Sequence, residues 1–417
     1  MLNCFYDSYT ILNKVYSENA YVKQAINSTF IEEKNRALTV KICYGVLDKD
    51  IELSYYIKQL TSKTPKLAIR TLLKIAMYSI TFLGKKPYAV CDNTVSLAKK
   101  LGKSGTSGFI NAFLRKYIGN KPELPKGNDV ESVSIRYSYP QFLVKELIKD
   151  YGKDEAEKIM CSKNAKNCLC FYGTDGKEYL KNLGKQFENT PYENVYLLDN
   201  FSRELGYDKG IYTFQALGSV AICEGIKPCE KILDCCAAPG GKSVRLSYKC
   251  KNVYSWDKYE HRVKLIDEYA YRMHRENVIT ETRDAKIFDK EFENFFDAVL
   301  VDAPCSGSGV INDNPDIKLN REESSLNQLV IEQKSILKTV SRYVKPGGYL
   351  YYSTCSILFR ENIEIIRSFM SDKNDFELQK SSSVLPNFDV DGTIQFLPHI
   401  SGGNGFYFAV LKRRETL

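Results

Sequence analysis

The sequence predicts a multidomain protein that combines an all-α N-terminal domain, a small α+β middle domain and a C-terminal α/β domain. Three observations support this prediction. At 417 residues the chain is longer than one typical domain. Apolar residues recur at helical spacing through residues 1–118, whereas short apolar segments alternate with longer helical patterns from Lys227 onward. We place the three domains at residues 1–122, 130–210 and 211–417.

The composition is that of a soluble protein, with 43% hydrophobic and 26% charged residues. No apolar run reaches the roughly 18 residues that a membrane-spanning helix needs, and the N-terminus has no signal-peptide pattern. The 13 cysteines are odd in number and irregularly spaced, which argues against a disulfide framework. Only three histidines are present, so a structural zinc site is not expected. We therefore expect a protein of the reducing cytoplasm, without a metal and without a membrane partner.

The net charge of +8 is concentrated in the N-terminal third of the chain. Residues 1–126 contain 20 Lys and Arg against nine Asp and Glu, whereas the rest of the chain has a slight acidic excess. A basic domain beside a nearly neutral one is typical of a polyanion-binding module joined to a catalytic module. Lysine enrichment also arises from solubility or genome composition, so charge alone leaves nucleic-acid binding as one of two interpretations.

The two N-terminal domains are predicted from periodicity and from helix breakers. Helical periodicity is clearest at residues 37–46 and 67–80. The Gly-Lys-Lys-Pro sequence at 84–87 marks a break between helices, and the composition of residues 120–129 predicts a linker. In the middle domain we predict helices at 140–151, 153–162 and 177–183 and a strand at 168–172.

The C-terminal domain is predicted to contain strands at 231–235, 253–257, 298–302, 349–353 and 406–411. Long helical patterns at 258–277 and 325–344 lie between several of them. Strand–helix alternation of this kind predicts a doubly wound parallel sheet, which binds ligands at the carboxyl ends of its strands.

A turn rich in small residues, 235–243, follows the first of these strands. Gly240 and Gly241 let the backbone approach a ligand closely, and the helix that begins there favours a carboxylate or phosphate. A phosphate-binding P-loop does not match, because Cys236 stands where that motif needs a glycine. Asp257 ends the next strand, where an acid can bind ribose hydroxyls. These features favour a nucleoside cofactor with an amino-acid carboxylate over a purely structural turn.

Two cysteines follow two later strands. Asp302 ends a buried strand and precedes Cys305 in a loop that contains proline and glycine, and Cys355 follows a second strand. Neighbouring strand ends in one sheet can place both thiols at one cleft, and shaped loops often carry function. Each cysteine taken alone would more often be inert core, and a disulfide between the two is a further alternative.

Four motifs resemble, in order, those of the NOL1/NOP2/Sun family of RNA cytosine-5 methyltransferases. They occupy residues 234–242, 302–307, 314–318 and 353–356, the last followed by Glu361 and Asn362. The N-terminal domain is similar to NusB-like RNA-binding domains at residues 44–47, 72–83, 87–95 and 109–115. The resemblance covers nearly the whole chain. It implies a NusB-like helical domain joined to a Rossmann-like methyltransferase that uses S-adenosylmethionine.

The resemblance also implies a role for each residue of the predicted site. Cys355 would attack carbon 6 of a cytosine, Cys305 would assist release of the product, and Asp302 would contact the base. Attack at carbon 6 makes carbon 5 electron-rich enough to accept a methyl group. The implied cofactor-binding residues are Cys236, Ala237, Ala238, Pro239, Gly240, Gly241, Lys242, Asp257, Arg262, Asp284 and Asp302. Family members usually have glycines on both sides of the residue that corresponds to Asp284, whereas this chain has Arg283 and Ala285 there.

The combination of the two domains resembles family members that act on 16S ribosomal RNA. It implies a monomer whose target base leaves its stack to reach the thiol, in RNA that is free or partly assembled into a particle. Two alternatives remain open. One is the same chemistry on tRNA or another ribosomal site, and the other is a non-catalytic RNA-binding or assembly factor on a methyltransferase scaffold.

Overall fold

The structure of the protein is a computed structural model that describes residues 1–163, 166–199 and 201–415. Its chain divides into two compact units. The first contains Met1–Cys161 and Ile311–Glu322, and the second contains Ser162–Val310 and Glu323–Leu417. The predicted domain limits at 122, 130 and 210 remain predictions. Residues 164, 165, 200, 416 and 417 of the predicted middle and C-terminal domains lie outside the described residues.

The helices of the described residues fall into two groups, one for each compact unit. The helices of the first unit are α1 (Leu2–Glu18), α2 (Val22–Asn27), α3 (Glu33–Asp48), α4 (Asp50–Leu60), α5 (Leu67–Thr81), α6 (Pro87–Lys100), α7 (Ser107–Gly119), α8 (Val130–Tyr137), α9 (Gln141–Tyr151), α10 (Lys153–Cys161) and α16 (Ile317–Asn320). Those of the second unit are α11 (Gly176–Asn182), α12 (Leu205–Asp208), α13 (Leu217–Gly225), α14 (Gly241–Leu246), α15 (Glu260–Arg272), α17 (Glu323–Val340), α18 (Ile363–Asp372) and α19 (Pro398–Ser401). None of the helices in the described part of the chain is both long and apolar enough to cross a membrane.

The helical first unit was predicted by periodicity. The patterns at 37–46 and 67–80 are confirmed by α3 and α5, and Pro87, the last residue of the predicted break, begins α6. Apolar side chains at spacings of three and four residues meet in one core, in which Leu12, Ile42, Leu73 and Leu97 are completely buried. Burial of each such side chain contributes about 2 kcal/mol to stability.

A segment from the C-terminal half of the sequence folds with this helical unit. Lys318 on α16 is buried, and its Nζ lies 2.6 Å from Oδ1 of Asp48 at the end of α3. Asp316 accepts a hydrogen bond of 3.2 Å from the backbone N–H of Val22, the first residue of α2. Burial lowers the pKa of Lys318, and Asp48 offsets part of that effect. The sequence placed the segment within 211–417, because nothing in its composition indicates which unit it packs against.

The second unit contains two sheets. Its strands are β1 (Lys166–Phe171), β2 (Glu188–Asn189), β3 (Val195–Asp199), β4 (Tyr212–Phe214), β5 (Lys231–Asp234), β6 (Asn252–Asp257), β7 (Val278–Thr282), β8 (Phe296–Asp302), β9 (Val344–Thr354), β10 (Phe376–Gln379), β11 (Phe388–Val390), β12 (Thr393–Phe396) and β13 (Phe406–Arg413). Strands β1 to β4 form an antiparallel sheet in the order β2-β3-β1-β4. The larger sheet has the order β11-β12-β13-β9-β8-β5-β6-β7, and β10 pairs with β13.

The predicted parallel sheet is correct for five strands and needs a correction for the rest. Strands β9, β8, β5, β6 and β7 pair in parallel, whereas β10 to β13 pair in antiparallel fashion. The sheet is therefore mixed. The connections from β11 to β12 and from β12 to β13, residues 391–392 and 397–405, are too short for the crossover that parallel neighbours need.

The parallel strands bring several chain segments to one edge of the sheet. Asp234 at the end of β5 is level with Leu300 on β8, and Asp302 at the end of β8 is level with Ser353 on β9. Residues that follow these strands therefore meet at their carboxyl ends, where doubly wound sheets bind ligands.

Candidate functional site

The loop between β5 and α14 is held in one shape by backbone hydrogen bonds and by a glycine. The N–H of Ala237 donates to the carbonyl of Trp256 at 2.8 Å, which joins the loop to β6. Gly240 has a φ of +103°, and a Cβ at this position would lie 3.2 Å from the Cα of Ile266. Only glycine fits both the backbone conformation and the narrow space. The loop is thus a preformed, tightly packed turn at the carboxyl end of β5.

A buried carboxyl lies beneath this loop. Asp234 is 1% exposed, and its Oδ2 accepts a hydrogen bond of 2.7 Å from the hydroxyl of Ser243. Its Oδ1 has no hydrogen-bond partner among the residues that the structure describes. Burial raises the pKa of Asp234 to about 7, although the bond from Ser243 opposes the shift.

The lysine of the loop is paired with a carboxylate. Nζ of Lys242 lies 2.7 Å from Oδ2 of Asp302, whose Oδ1 accepts a hydrogen bond of 2.8 Å from Ser353. Burial acts to lower the pKa of Lys242, but the neighbouring Asp302 outweighs it and raises the pKa above its usual range. Lys242 thus remains a cation and fixes the position of Asp302.

Asp257 and Arg262 form a second polar group at the end of β6. Oδ2 of Asp257 lies 3.4 Å from a guanidinium nitrogen of Arg262, which also donates to the carbonyl of Ala238 at 3.2 Å. The backbone N–H of Tyr259 donates to Oδ1 of Asp257 at 3.2 Å. Arg262 therefore connects the acid of β6 to the loop that follows β5.

Asp284 lies beyond β7, between Arg283 and Ala285. Its Oδ1 accepts a hydrogen bond of 2.9 Å from the backbone N–H of Lys286. The guanidinium of Arg283 is held by Glu281 and Asp289, each at 2.6 Å. Arg283 is thus engaged with its own acidic partners.

The two predicted thiols lie side by side. Cys305 follows β8 and Cys355 follows β9, and their sulfur atoms are 3.1 Å apart. The hydrogen bond with Cys355 and burial both raise the pKa of Cys305 well above its ordinary value. Cys305 therefore keeps its proton, and at this separation either sulfur can be the donor of the pair.

One cavity of about 350 Å³ joins these groups. Its lining includes the predicted site residues Cys236, Ala238, Asp257, Arg262, Asp284, Asp302, Cys305 and Cys355. The other predicted residues belong to the loop or its helix without lining the cavity: Ala237, Pro239, Gly240, Gly241 and Lys242. The structure thus brings six of the eleven candidate cofactor residues and both thiols to one cavity.

The cavity wall also contains residues that sequence reasoning missed. Lys258 and Tyr259 directly follow Asp257, and their position after a strand end was the available signal. Glu332 and Ile336 line the cavity from α17, one helical turn apart. Nothing in the sequence distinguishes that turn from the rest of the helix. In the described residues, no group of three or more His, Cys, Asp or Glu is arranged to hold a metal ion.

The N-terminal and C-terminal parts of the chain match different families of known proteins. Residues 224–412 match the family model described as 16S rRNA methyltransferase RsmB/F, and residues 8–119 match that of the NusB family. The chain is 33% identical to the probable ribosomal RNA small subunit methyltransferase B of Bacillus subtilis (strain 168), with 96% of each chain covered. It is 31% identical to ribosomal RNA small subunit methyltransferase B of Photorhabdus laumondii subsp. laumondii, with 92% of each chain covered.

Two solved structures share the fold. PH0851 superposes with a TM-score of 0.83 at 22% identity, covering 99% of this chain and 98% of its own. NSun6 from Pyrococcus horikoshii, solved with SFG, has a TM-score of 0.59 at 18% identity, covering 67% of this chain and 100% of its own.

Proposed function

The chain belongs to the 16S rRNA methyltransferase RsmB/F family, and from this membership we propose that it methylates carbon 5 of a cytosine in 16S ribosomal RNA. The proposed methyl donor is S-adenosylmethionine. The NusB-like helices of the first unit would bind the RNA, which is free or partly assembled. The enzyme would act as a monomer in the cytoplasm.

The observation that carries this proposal is the pair of thiols in the cavity beside the loop between β5 and α14. Cys305 and Cys355 lie 3.1 Å apart and line the same space as Cys236, Asp257 and Asp284. A methyltransferase that acts on a heteroatom needs no thiol, whereas an unactivated pyrimidine carbon needs a nucleophile at its neighbour. Two adjacent thiols supply one group to attack and a second to assist release.

The cavity suits S-adenosylmethionine in size and in lining. Its volume of about 350 Å³ is within the range of small-molecule sites. The glycine at 240 keeps the loop close to α15, where a side chain would collide with Ile266. In this assignment Asp257 would bind the ribose hydroxyls, Asp284 would contact the adenine, and residues 236–242 would hold the methionine end. When bound, S-adenosylmethionine supplies an electrophilic methyl group.

The protein groups divide the chemistry between them. The sulfur of Cys355 is assigned as the attacking atom, because a hydrogen bond donated by the S–H of Cys305, which their 3.1 Å separation allows, would support negative charge on that sulfur. Bond formation between this sulfur and carbon 6 moves electron density to carbon 5. The proton that Cys355 gives up ends on ring N3, and Asp302, held in place by Lys242 and Ser353, contacts the base and assists this transfer.

Release reverses the addition after carbon 5 has gained its methyl group. Cys305 first gives up its own proton to solvent, and its thiolate then takes the proton from carbon 5. The electrons of that C–H bond restore the carbon 5–carbon 6 double bond, the sulfur of Cys355 leaves with its bonding pair, and ring N3 loses the proton it gained. Because the pKa of Cys305 is raised, this group is suited to end the step holding a proton.

Trapping of the covalent complex tests the assignment. With RNA and S-adenosylmethionine present, Cys305→Ala should accumulate a protein–RNA adduct that survives denaturing electrophoresis, because release is blocked. Cys355→Ala should form no adduct and transfer no methyl group. Cys229→Ala is the matched control, since Cys229 lies beside Cys250 at a sulfur separation of 3.7 Å and outside the cavity lining. Adduct from the double variant Cys305→Ala/Cys355→Ala would contradict the roles assigned to the two thiols.

The substrate is tested separately by mapping 5-methylcytosine in total RNA from cells that lack the gene. Loss of one modified cytosine in 16S RNA is expected. Loss confined to tRNA or to large-subunit RNA would keep the chemistry and replace the substrate, whereas absence of any transfer by the wild-type protein would favour a non-catalytic role.

A further inference from the structure

Beneath the thiol pair lies a buried carboxylate that the proposed chemistry does not use. Glu361 is 0% exposed and ends a short 3-10 helix, Phe359–Glu361, that follows the Cys355 loop. Its Oε1 accepts hydrogen bonds from the backbone N–H of Ser306 at 2.7 Å and from the amide of Gln333 at 3.1 Å. Its Oε2 accepts from the hydroxyls of Ser306 and Ser356, each at 2.5 Å.

These partners connect the two thiol loops to one another. Ser306 directly follows Cys305, and Ser356 directly follows Cys355. A carboxylate has about four acceptor positions, and the described donors occupy two on each oxygen of Glu361. A single side chain thus spans both loops and uses its full accepting capacity to do so.

Neighbouring hydrogen bonds fix the direction of each hydroxyl. The hydroxyl of Ser306 accepts from the N–H of Ser308 at 3.2 Å, and the hydroxyl of Ser356 accepts from the N–H of Leu358 at 3.1 Å. Each hydroxyl oxygen is therefore held by a backbone donor while its proton points towards the carboxylate. The amide of Gln333 also donates to the carbonyl of Pro304 at 2.9 Å, which ties the start of the Cys305 loop to α17.

We propose that Glu361 is the positioning residue of the active site: it holds the loops of Cys305 and Cys355 in one register, so that both thiols face the same carbon pair of the substrate. The inference rests on the proposed function and goes beyond it, because it assigns a role to a group that touches neither RNA nor cofactor. Buried carboxylates are costly when incompletely paired, so replacement of this group disturbs both loops together. The charge of Glu361 also contributes to the raised pKa of Cys305, after the hydrogen bond with Cys355 and burial.

Glu361→Gln is the direct test, because it keeps the side-chain volume and replaces one acceptor oxygen by an NH₂ group. That group cannot accept the hydrogen bonds from two of the four donors. We expect kcat for methyl transfer to fall about 100-fold, the effect typical of a displacement near 1 Å, while the KM for RNA stays within about twofold. Because loss of the negative charge makes ionisation of Cys305 easier, the rising limb of the kcat–pH profile should move to lower pH. Glu377→Gln is the matched control, since this glutamate is exposed and paired with Arg414.

A second pair of variants keeps the test decisive if Glu361→Gln does not fold. Ser356→Ala and Ser306→Ala each remove one hydroxyl that donates to Glu361, and each should lower kcat by about tenfold with the KM for RNA unchanged. In the Cys305→Ala background, Ser356→Ala should slow adduct formation by a similar factor.

The outcomes separate the two proposals. If wild-type protein transfers methyl groups and Cys305→Ala traps an adduct, the proposed function stands whatever Glu361 does. Two results would then overturn positioning by Glu361. One is a wild-type kcat in the serine variants. The other is a Glu361→Gln variant whose pH profile is unchanged and whose loss of kcat equals its loss of folded protein. If wild-type protein shows neither transfer nor adduct, the proposed function itself fails.

Discussion

At the scale of single residues, the lysine of the glycine-rich loop shows how a local motif acquires its role from its surroundings. Gly241, Lys242 and Ser243 resemble the end of a phosphate-binding loop. In the structure Lys242 pairs with Asp302 on the neighbouring strand, and Ser243 donates to Asp234. Both polar side chains are therefore used to hold carboxylates of the sheet. The missing glycine at Cys236 was the sequence signal that separated this loop from a phosphate site.

The buried carboxyl of Asp234 predicts a pH-dependent stability. Its pKa in the folded protein is about 7, against 3.8 for an ordinary aspartate, so the folded chain binds the extra proton between these values. Stability from this group is fully present below pH of about 4 and is lost as the pH rises to about 7, by an upper limit of about 4 kcal/mol. Asp234→Asn should therefore flatten the fall in unfolding free energy over this window.

Urea denaturation at several pH values between 4 and 8 measures this effect. The matched control is Asp372→Asn, since that aspartate is exposed at the end of α18. An equal slope for the wild type and Asp234→Asn would show that the carboxyl does not hold its proton in the folded state.

At the scale of elements, two glycines allow the loops around the thiols to pack closely. The N–H of Gly309 donates to the carbonyl of Cys355 at 2.9 Å, and its own carbonyl accepts from Gly405 at 2.7 Å. A Cβ on Gly309 would lie 2.2 Å from the carbonyl oxygen of Gly405. The short segment Ser308–Val310 thus passes between two other chain segments with no room for a side chain.

Gly309→Ala should therefore damage both stability and activity. We expect a loss of about 2 kcal/mol in unfolding free energy and a lower rate of adduct trapping, because the backbone next to Cys355 must move. Gly108→Ala is the matched control: Gly108 lies in α7, and a Cβ added there would meet nothing within 4 Å, so alanine should stabilise the helix by about 0.5 kcal/mol. Chemical denaturation and single-turnover assays check both variants, and equal behaviour of the two would refute the packing argument.

The elements that the sequence predicted well are those with a strong and continuous apolar pattern. Strands β5, β6 and β8 are buried along most of their length, and their apolar runs and terminal acids were visible in the sequence. Strand β7 was missed because its residues are half-buried or exposed and offer no apolar run. The hairpin of β11 and β12 was missed although Asp391 and Gly392, both with positive φ, are a common two-residue turn.

The same contrast holds for the site. Asp257 and Asp302 end strands, and Cys305 and Cys355 follow strand ends, so topology alone predicts that they meet. The contribution of α17 could not be predicted, because which turn of a long amphipathic helix faces the cavity depends on how the whole helix packs. The carboxylate of Glu361 was visible as part of a motif, but its hydrogen bonds to both loops are properties of the folded chain.

At the scale of the whole molecule, the proposed function assigns RNA binding and chemistry to parts of the chain that differ in charge. The basic excess of residues 1–126 belongs to the helical unit, whereas the cavity belongs to the mixed-sheet unit. Segment 311–322 belongs to the helical unit, although the residues before and after it in the sequence belong to the second unit. The chain leaves the second unit after Val310 and returns to it at Glu323, and between them Lys318 pairs with Asp48 of the helical unit. The two parts are thus linked by three chain crossings, and a cut between two independent domains cannot be made at one position.

This charge distribution predicts where the salt dependence of RNA binding arises. Lysines and arginines that contact phosphates release counterions, and each such contact contributes about 0.7 to the slope of log affinity against log salt for single-stranded RNA. Lys99 on α6 and Arg115 on α7 are exposed cations of the helical unit. The double variant Lys99→Gln/Arg115→Gln should therefore weaken RNA binding. The slope should fall by about 0.7 or more, which corresponds to the loss of at least one phosphate contact. Methyl transfer at saturating RNA should stay at the wild-type level, because neither residue belongs to the cavity.

The matched control neutralises two exposed lysines of the other unit, Lys251→Gln/Lys264→Gln, whose side chains pair with Glu230 and Glu260. Fluorescence anisotropy with a 16S RNA fragment, measured across a series of salt concentrations, gives both slopes. If the helical unit supplies the phosphate contacts, only the first double variant changes the slope. An equal change in both variants would mean that the polyanion is held by the whole surface, and a change in the control alone would transfer the binding role to the mixed-sheet unit.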